Sequence, residues 1–286
     1  MISDITLGQF FPGRSLIHRL DPRTKIILAT FFIVAVFVAN NPIGFLVMAL
    51  TTICLISISH ISFKVIRKSI KPLVFILLFT AILNIFMTKG AGEPLVSFWV
   101  INIYTEGIAR AVMMAFRVIL LIVGTSVLLT YTTSPISLTD GLEALLSPLK
   151  KIHVPVHTFA MMMSIALRFI PTLVEETEKI MNAQKSRGAD FSSGSLVQRA
   201  KALIPILVPL FVSSFKRAEE LATAMECRCY RGDKNRTKLV KLEYKAKDFA
   251  MMAAFLLLMG IIICAAVLPY KFASFGLAYD IMFFKV

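Results

Sequence analysis

Long uncharged runs broken by short polar or basic stretches dominate the first half of the chain. Positions 26–63 hold no Asp, Glu, Lys or Arg. A helix needs about 20 apolar residues to cross a bilayer, so this run is too long for one span. It breaks at Asn40-Asn41-Pro42, where Asn and Pro favour a turn and the residue before Pro disfavours helix. The pattern predicts one span over about 25–40 and a second over about 43–60. Asp21 is placed to cap the first, and Pro22 suits the first helical position, where a missing N–H costs nothing. Lys64, Arg67, Lys68 and Lys71 form a basic connection, and the uncharged run 72–88 is span three. Lys89, Gly90, Gly92, Glu93 and Pro94 mark 89–105 as a loop, with Trp99 and Tyr104 suited to a membrane interface. Span four falls at about 108–131, with Arg110 and Arg117 facing protein or water, and span five at about 249–268.

Between spans four and five the pattern changes. Positions 132–247 hold 18 Lys/Arg and 11 Asp/Glu, a net +7. Thr132-Thr133-Ser134-Pro135 is a loop and helix-start signal. Leu142, Leu145, Leu146 and Leu149 recur at helical spacing and predict an amphipathic helix over about 138–150. Pro155 opens a second helix to about 188, roughly 50 Å long at 1.5 Å per residue. Pro171 sits inside it and is expected to kink it. A third helix runs from about 196 to 230, with an uncharged middle, Ala202 to Ser214, broken by Pro205 and Pro209. Thirteen residues are too few to cross a bilayer unaided, so this stretch reads as a helix packed under the spans, with a re-entrant segment as the alternative.

Composition supports lipid as the solvent. The chain is 57% hydrophobic and 17% charged, with mean hydropathy +0.77, whereas soluble domains are about a quarter charged. The formal charge of +14 fits the excess of Lys and Arg on cytoplasmic loops better than a nucleic-acid groove, which would interleave bases with aromatics. The basic N-terminal segment and the basic connection 61–71 put the N-terminus and the insert in the cytoplasm and the C-terminal tail outside. The segment before the first span carries Asp4, Pro12, Arg14, Arg19 and Asp21 and does not read as a cleavable signal peptide. The expected fold is all-α and polytopic, with about five transmembrane helices and long cytoplasmic helices. It divides into a membrane part (1–131), a cytoplasmic part (132–247) and a last span with its tail (248–286).

Candidate chemistry is sparse. Cys227 and Cys229 stand one residue apart with no second ligand pair, so no metal site is expected. There is no glycine-rich phosphate loop; if the protein uses ATP, another chain binds it. His153 and His157 stand a helical turn apart, but Pro155 lies between them. Glu175, Glu176 and Glu178 lack the arginine of an intramembrane metalloprotease, since Ile180 stands in its place, and read as surface partners of Lys179 and Lys185. The interiors of spans one, two, three and five carry no ionisable group of the kind an ion-coupled carrier needs. The polar business of the chain is therefore in the insert.

Six segments in order resemble one known family. They are Gly13 to Lys25 (GRSLIHRLDPRTK), Thr132 to Pro135, Pro148-Leu149-Lys150, Arg168-Phe169-Ile170-Pro171, Ala183 to Ala189 (AQKSRGA) and Ala224 to Gly232 (AMECRCYRG). Together they resemble the transmembrane (T) component of energy-coupling factor transporters across nearly the whole chain. That family carries two Ala-Arg-Gly motifs at the ends of coupling helices. Here they read Ser186-Arg187-Gly188 and Cys227-Arg228-Cys229; the arginines match, and the departures are small side chains. The loss of glycine at 229 bears on how that helix ends. The resemblance implies a multi-pass cell-membrane subunit that is not an enzyme and holds no cofactor of its own. It implies two ABC-type ATPase partners that bind ATP and dock on these residues, and a separate small membrane protein, the S component, that binds the vitamin or metal ion. The basic stretch Lys234 to Lys247 favours a shared vitamin module. Two other readings remain, a secondary carrier and a conventional ABC permease, each binding substrate itself.

Overall fold

The computed structural model describes residues 10–13, 15–39, 41–87, 96–98, 101–189, 191, 195–230, 232 and 242–267. The expectations for Arg14, for Asn40, for Lys89 to Pro94 and Trp99, for most of Lys234 to Lys247 and for the C-terminal tail lie outside the described residues. In chain order the helices are α1 (Pro22–Val38), α2 (Pro42–Ser59), α3 (Phe63–Ile70), α4 (Val74–Met87), α5 (Thr105–Thr125), α6 (Pro135–Leu146), α7 (Val156–Ser186), α8 (Leu196–Cys227) and α9 (Ala246–Val267). Among the described residues the fold is all-α apart from one short hairpin in the expected loop, β1 (Val96–Phe98) against β2 (Ile101–Ile103), with Ser97 opposite Asn102.

Two compact units emerge, one holding Phe10–Ser134 with Leu242–Val286 and the other Pro135–Lys241. In the first unit, α1 starts as its sequence dictates. The Asp21 carboxylate accepts from the Arg23 N–H at 2.9 Å, and Pro22 takes the first helical position. The basic stretch before span three is itself helical, because Ile66 can turn inward to 4% exposure while Lys64, Arg67 and Lys68 stay at the surface. Pro72 then tightens one turn (Lys71–Leu73) to a 3₁₀ helix before α4. Leu28, Phe32 and Val36 of α1 are buried with Met48 and Leu55 of α2, Leu120 and Val123 of α5, and Phe255 and Ile262 of α9. Close approach depends on Gly124, where a Cβ would stand 2.2 Å from the Phe32 ring. Inside a bilayer such packing replaces the hydrophobic effect as the force between helices. Arg117 faces protein, as expected, donating to the Ala39 carbonyl at 3.3 Å over the Phe45 ring; Arg110 is exposed. At its end α5 widens to a π turn, Ser126–Thr130, closed by the Tyr131 N–H on the Ser126 carbonyl. The extra residue helps carry Tyr131 inward to 1% exposure, where its hydroxyl bonds the Ser69 hydroxyl.

In the second unit, α6 begins three residues earlier than its leucine pattern suggested and gives way at Ser147–Ile152 to a 3₁₀ turn around Pro148. The leucine stripe is not its packed face. Leu142 and Leu146 are exposed, while Gly141 and Glu143 are buried. Glu143 is buried because it meets His157 from the first turn of α7 at 2.9 Å, both under 10% exposed. Pro155 is the N-cap of α7, which separates His153 from His157 as expected. The helix then runs unbroken through Pro171 to Ser186, so the proline removes one ladder bond without ending the helix.

Among the described residues, six helices are long and apolar enough to cross a membrane, counting α3 and α4 as one: Pro42–Ser59, Phe63–Met87, Gly107–Thr130, Val156–Ser186, Val197–Cys227 and Ala246–Cys264. The set differs from the five expected spans. It adds α7 and α8, whose apolar windows are longer than their uncharged cores, and leaves out α1, which has 17 residues.

Candidate functional site

The residues singled out by the sequence lie at two helix ends, and the backbone explains them. Arg187 is the C-cap of α7, with Ser186 the last helical residue. Gly188 follows with φ +89, in the left-handed region. Its N–H donates to the Lys185 carbonyl at 2.9 Å, and the Ala189 N–H reaches back to Gln184 at 3.0 Å. This pair of bonds is the Schellman ending, which satisfies carbonyls the helix would otherwise leave open. The second tip repeats it. Arg228 is the C-cap of α8, Cys227 the last helical residue, and Cys229 takes the left-handed position at φ +56. Its N–H donates to Glu226 at 2.8 Å, and the Tyr230 N–H to Met225 at 3.0 Å. The loss of glycine at 229 therefore leaves the ending intact, with a cysteine strained into it. Ser186, Arg187, Gly188, Cys227, Arg228 and Cys229 are all exposed.

The two arms are tied together at a point the sequence did not announce. Glu176 of α7 accepts from the Ser213 hydroxyl at 2.5 Å and from Arg217 Nη2 at 2.9 Å, both on α8. The surface pairing with Lys179 and Lys185 expected for the 175–178 glutamates misses this contact. The available signal was Ser213 and Arg217 placed one turn apart where the uncharged stretch of α8 ends. Glu176 lies eleven residues before Arg187, and Arg217 eleven before Arg228. At 1.5 Å per residue each tip stands about 17 Å beyond the tie. Leu196 lies 21 residues before Arg217, about 32 Å from the tie. The nine steps from Arg187 to Leu196 span at most roughly 32 Å. With near-straight helices, that reach forces α8 to begin on the side where α7 ends.

The uncharged middle of α8 is largely uncovered. Ile206 is 3% exposed, but Leu203, Ile204, Leu207, Val208, Phe211, Val212 and Phe215 are all exposed. The Phe211 and Phe215 rings meet at a tilt of 51° with centroids 4.6 Å apart. A face this apolar calls for lipid or a partner over it.

These features define an all-α polytopic membrane protein whose second unit presents two like-built, arginine-bearing helix ends. A family profile described as cobalt transport protein, CbiQ, matches residues 13–239. The energy-coupling factor transporter transmembrane protein EcfT of Clostridium kluyveri is 52% identical over 267 residues, covering 93% of this chain and 98% of the relative. The protein of the same name from Ruminiclostridium cellulolyticum is 54% identical over 248 residues, 87% of this chain and 92% of its own length. That of Bacillus subtilis is 47% identical over 262 residues, 92% and 98%. The chain belongs to this family of energy-coupling factor transporter transmembrane proteins, and it is a membrane-embedded component of such a transporter. The relatives' names describe a transporter's membrane component, not an enzyme.

Proposed function

We propose that this chain transmits ATP-driven movement of two cytoplasmic ABC-type ATPases to a separate substrate-binding S component. ATP is held by the ATPases, and this chain carries no cofactor. The observation that carries the reading is the repetition of one tip: an arginine C-cap between a small residue and a left-handed residue, at the ends of two helices tied at a point equidistant from both. An exposed guanidinium at a helix end can enter a groove and make several charge-assisted hydrogen bonds. If Arg187 and Arg228 only balanced helix dipoles, each would contribute about 0.3–1 kcal/mol, and their matched placement would have no purpose. Two tips of one build suit two ATPases rather than one. On this reading the charged ends of α7 and α8 are cytoplasmic with the N-terminus. The exposed apolar middle of α8 meets the S component at the membrane. We take the cargo to be a vitamin rather than a metal ion. The relatives at 47–54% identity carry the general energy-coupling factor name, not the cobalt one.

The double variant Arg187→Glu with Arg228→Glu tests the reading. ATPase co-purification is expected to fall by about tenfold or more, as for loss of paired charged anchors at an interface. Helix content should not change, because both side chains are exposed. Recovery of both ATPases at wild-type yield would refute the assignment.

A further inference from the structure

The first unit holds a buried polar cluster that neither the tips nor the spans require. Lys25, in the first turn of α1, is 2% exposed. Its ammonium donates to the Thr132 carbonyl at 2.8 Å and the His18 carbonyl at 3.2 Å. Thr132 stands just before the chain passes at Ser134–Pro135 into the second unit. Its neighbour Tyr131 is held too, its carbonyl accepting from the Phe11 N–H at 3.0 Å. The chain returns at Lys241–Leu242, and the same helical turn meets it. Arg23 Nη2 donates to the Leu242 carbonyl at 3.0 Å, and its guanidinium lies 5.1 Å from the centre of the Tyr244 ring. Asp248, 1% exposed, accepts from the Lys245 N–H at 2.8 Å and from the Asp21 N–H at 2.8 Å. One short stretch, Asp21 to Lys25, thus holds the outgoing and the returning connection at once.

We infer that this turn is a mechanical clamp. Arg23 and Lys25, with Asp21 and Asp248, fix both connections to the membrane bundle so that movement of the arms is passed to α1, α5 and α9 instead of being absorbed in slack chain. Stability alone does not call for the arrangement, since a buried charged set can often be replaced as a whole by well-packed apolar residues at little cost, although removing one partner alone leaves a buried charge uncompensated. What polar groups add is direction. Thr132 and Leu242 both lie outside the helices, where carbonyls lack ladder partners and a side-chain donor can hold them in place. The turn also opens the helix that contributes most to the bundle core, so a pull on either connection bears on packed side chains. Arg23 and Lys25 are positioning residues on this account and touch no substrate. Their part in transport rests on the coupling role proposed above; the clamp itself does not.

The four cysteines, all exposed and two in each unit, supply the probes. Spin labels on Cys54 and Cys227, with Cys229→Ser and Cys264→Ser, report the distance between bundle and arm in the full chain in lipid nanodiscs. Labels on Cys54 and Cys264 report the bundle alone. Arg23→Met and Lys25→Met should each broaden the bundle-to-arm distribution about twofold, as expected when a hinge gains freedom, and leave the bundle pair unchanged. Arg23→Lys keeps a donor and a cation near Tyr244 and should restore the narrow distribution. An unchanged bundle-to-arm width in Arg23→Met overturns the clamp, and so does equal broadening of both label pairs, which would make the cluster part of the fold only. In unlabelled chains that keep all four native cysteines, Arg23→Met and Lys25→Met should capture ATPases at wild-type yield, because the tips are then untouched. A wild-type chain that captured no ATPases would sink the coupling role and leave the clamp to be judged by the label widths.

Discussion

Cys229 offers the most direct test of how the tips are built. It holds φ +56 without being glycine, and for a residue with a Cβ the left-handed region costs about 1–2 kcal/mol. Cys229→Gly removes that strain. Glycine also gives the unfolded segment more freedom, which costs about 0.4–1 kcal/mol. Taking the middle of each range, the net gain at the end of α8 is about 0.8 kcal/mol. A global melt would miss it, because a helix end frays independently of the core. Amide hydrogen exchange at Cys229 and Tyr230 reports it directly, since their N–H groups close the ending onto Glu226 and Met225. Exchange should slow by about two- to fivefold, the rate equivalent of that energy. Gly188→Ala is the mirror experiment. A Cβ there would meet nothing within 4 Å, so crowding is excluded and backbone strain alone acts at φ +89. Exchange at 188 and 189 should speed up by about fivefold or more. Unchanged or faster exchange in Cys229→Gly would show that the left-handed position is not strained and that the two tips are not equivalent.

Two further outcomes follow from the geometry. Arg217→Glu faces Glu176 with a like charge and should loosen the tie between the arms and lower ATPase capture. The swap Glu176→Arg with Arg217→Glu should restore it, while a double-mutant cycle on thermal stability gives only about 1 kcal/mol because the pair is partly exposed; a swap no better than the single variant would refute the tie. His18 is held below its ordinary value of 6.5 by burial and by the charge of Lys25, while its contact with the Phe11 carbonyl pulls the other way. The unfolded chain then takes up the proton more readily, so stability should fall as pH drops below about 6.5. In melts from pH 7.5 to 5.5 His18→Gln should flatten part of that slope; an unaltered slope would exclude His18 as its source.

The sequence was enough where local physics decides. The long uncharged runs specify spans, because no soluble fold could bury them. Asp21-Pro22 specifies the start of α1 because an acceptor side chain and a missing donor are what a first helical turn needs. Arg187 and Arg228 were marked by the resemblance of Ser186-Arg187-Gly188 and Cys227-Arg228-Cys229 to the family's paired motifs, not by the hydrophobic pattern. What depended on tertiary structure was every pairing between residues far apart in the chain. The basic connection before span three became a helix because Ile66 found a core to enter. The leucine stripe of α6 lost its inward place to Gly141 and Glu143 because His157 supplied a partner for the carboxylate. Cys229 could be seen in the left-handed position only from its backbone, since composition says nothing about the sign of φ. Lys25, Thr132, Leu242 and Asp248 sit up to 223 positions apart, and hydrogen bonds of about 3 Å can be recognised only after the helices have packed.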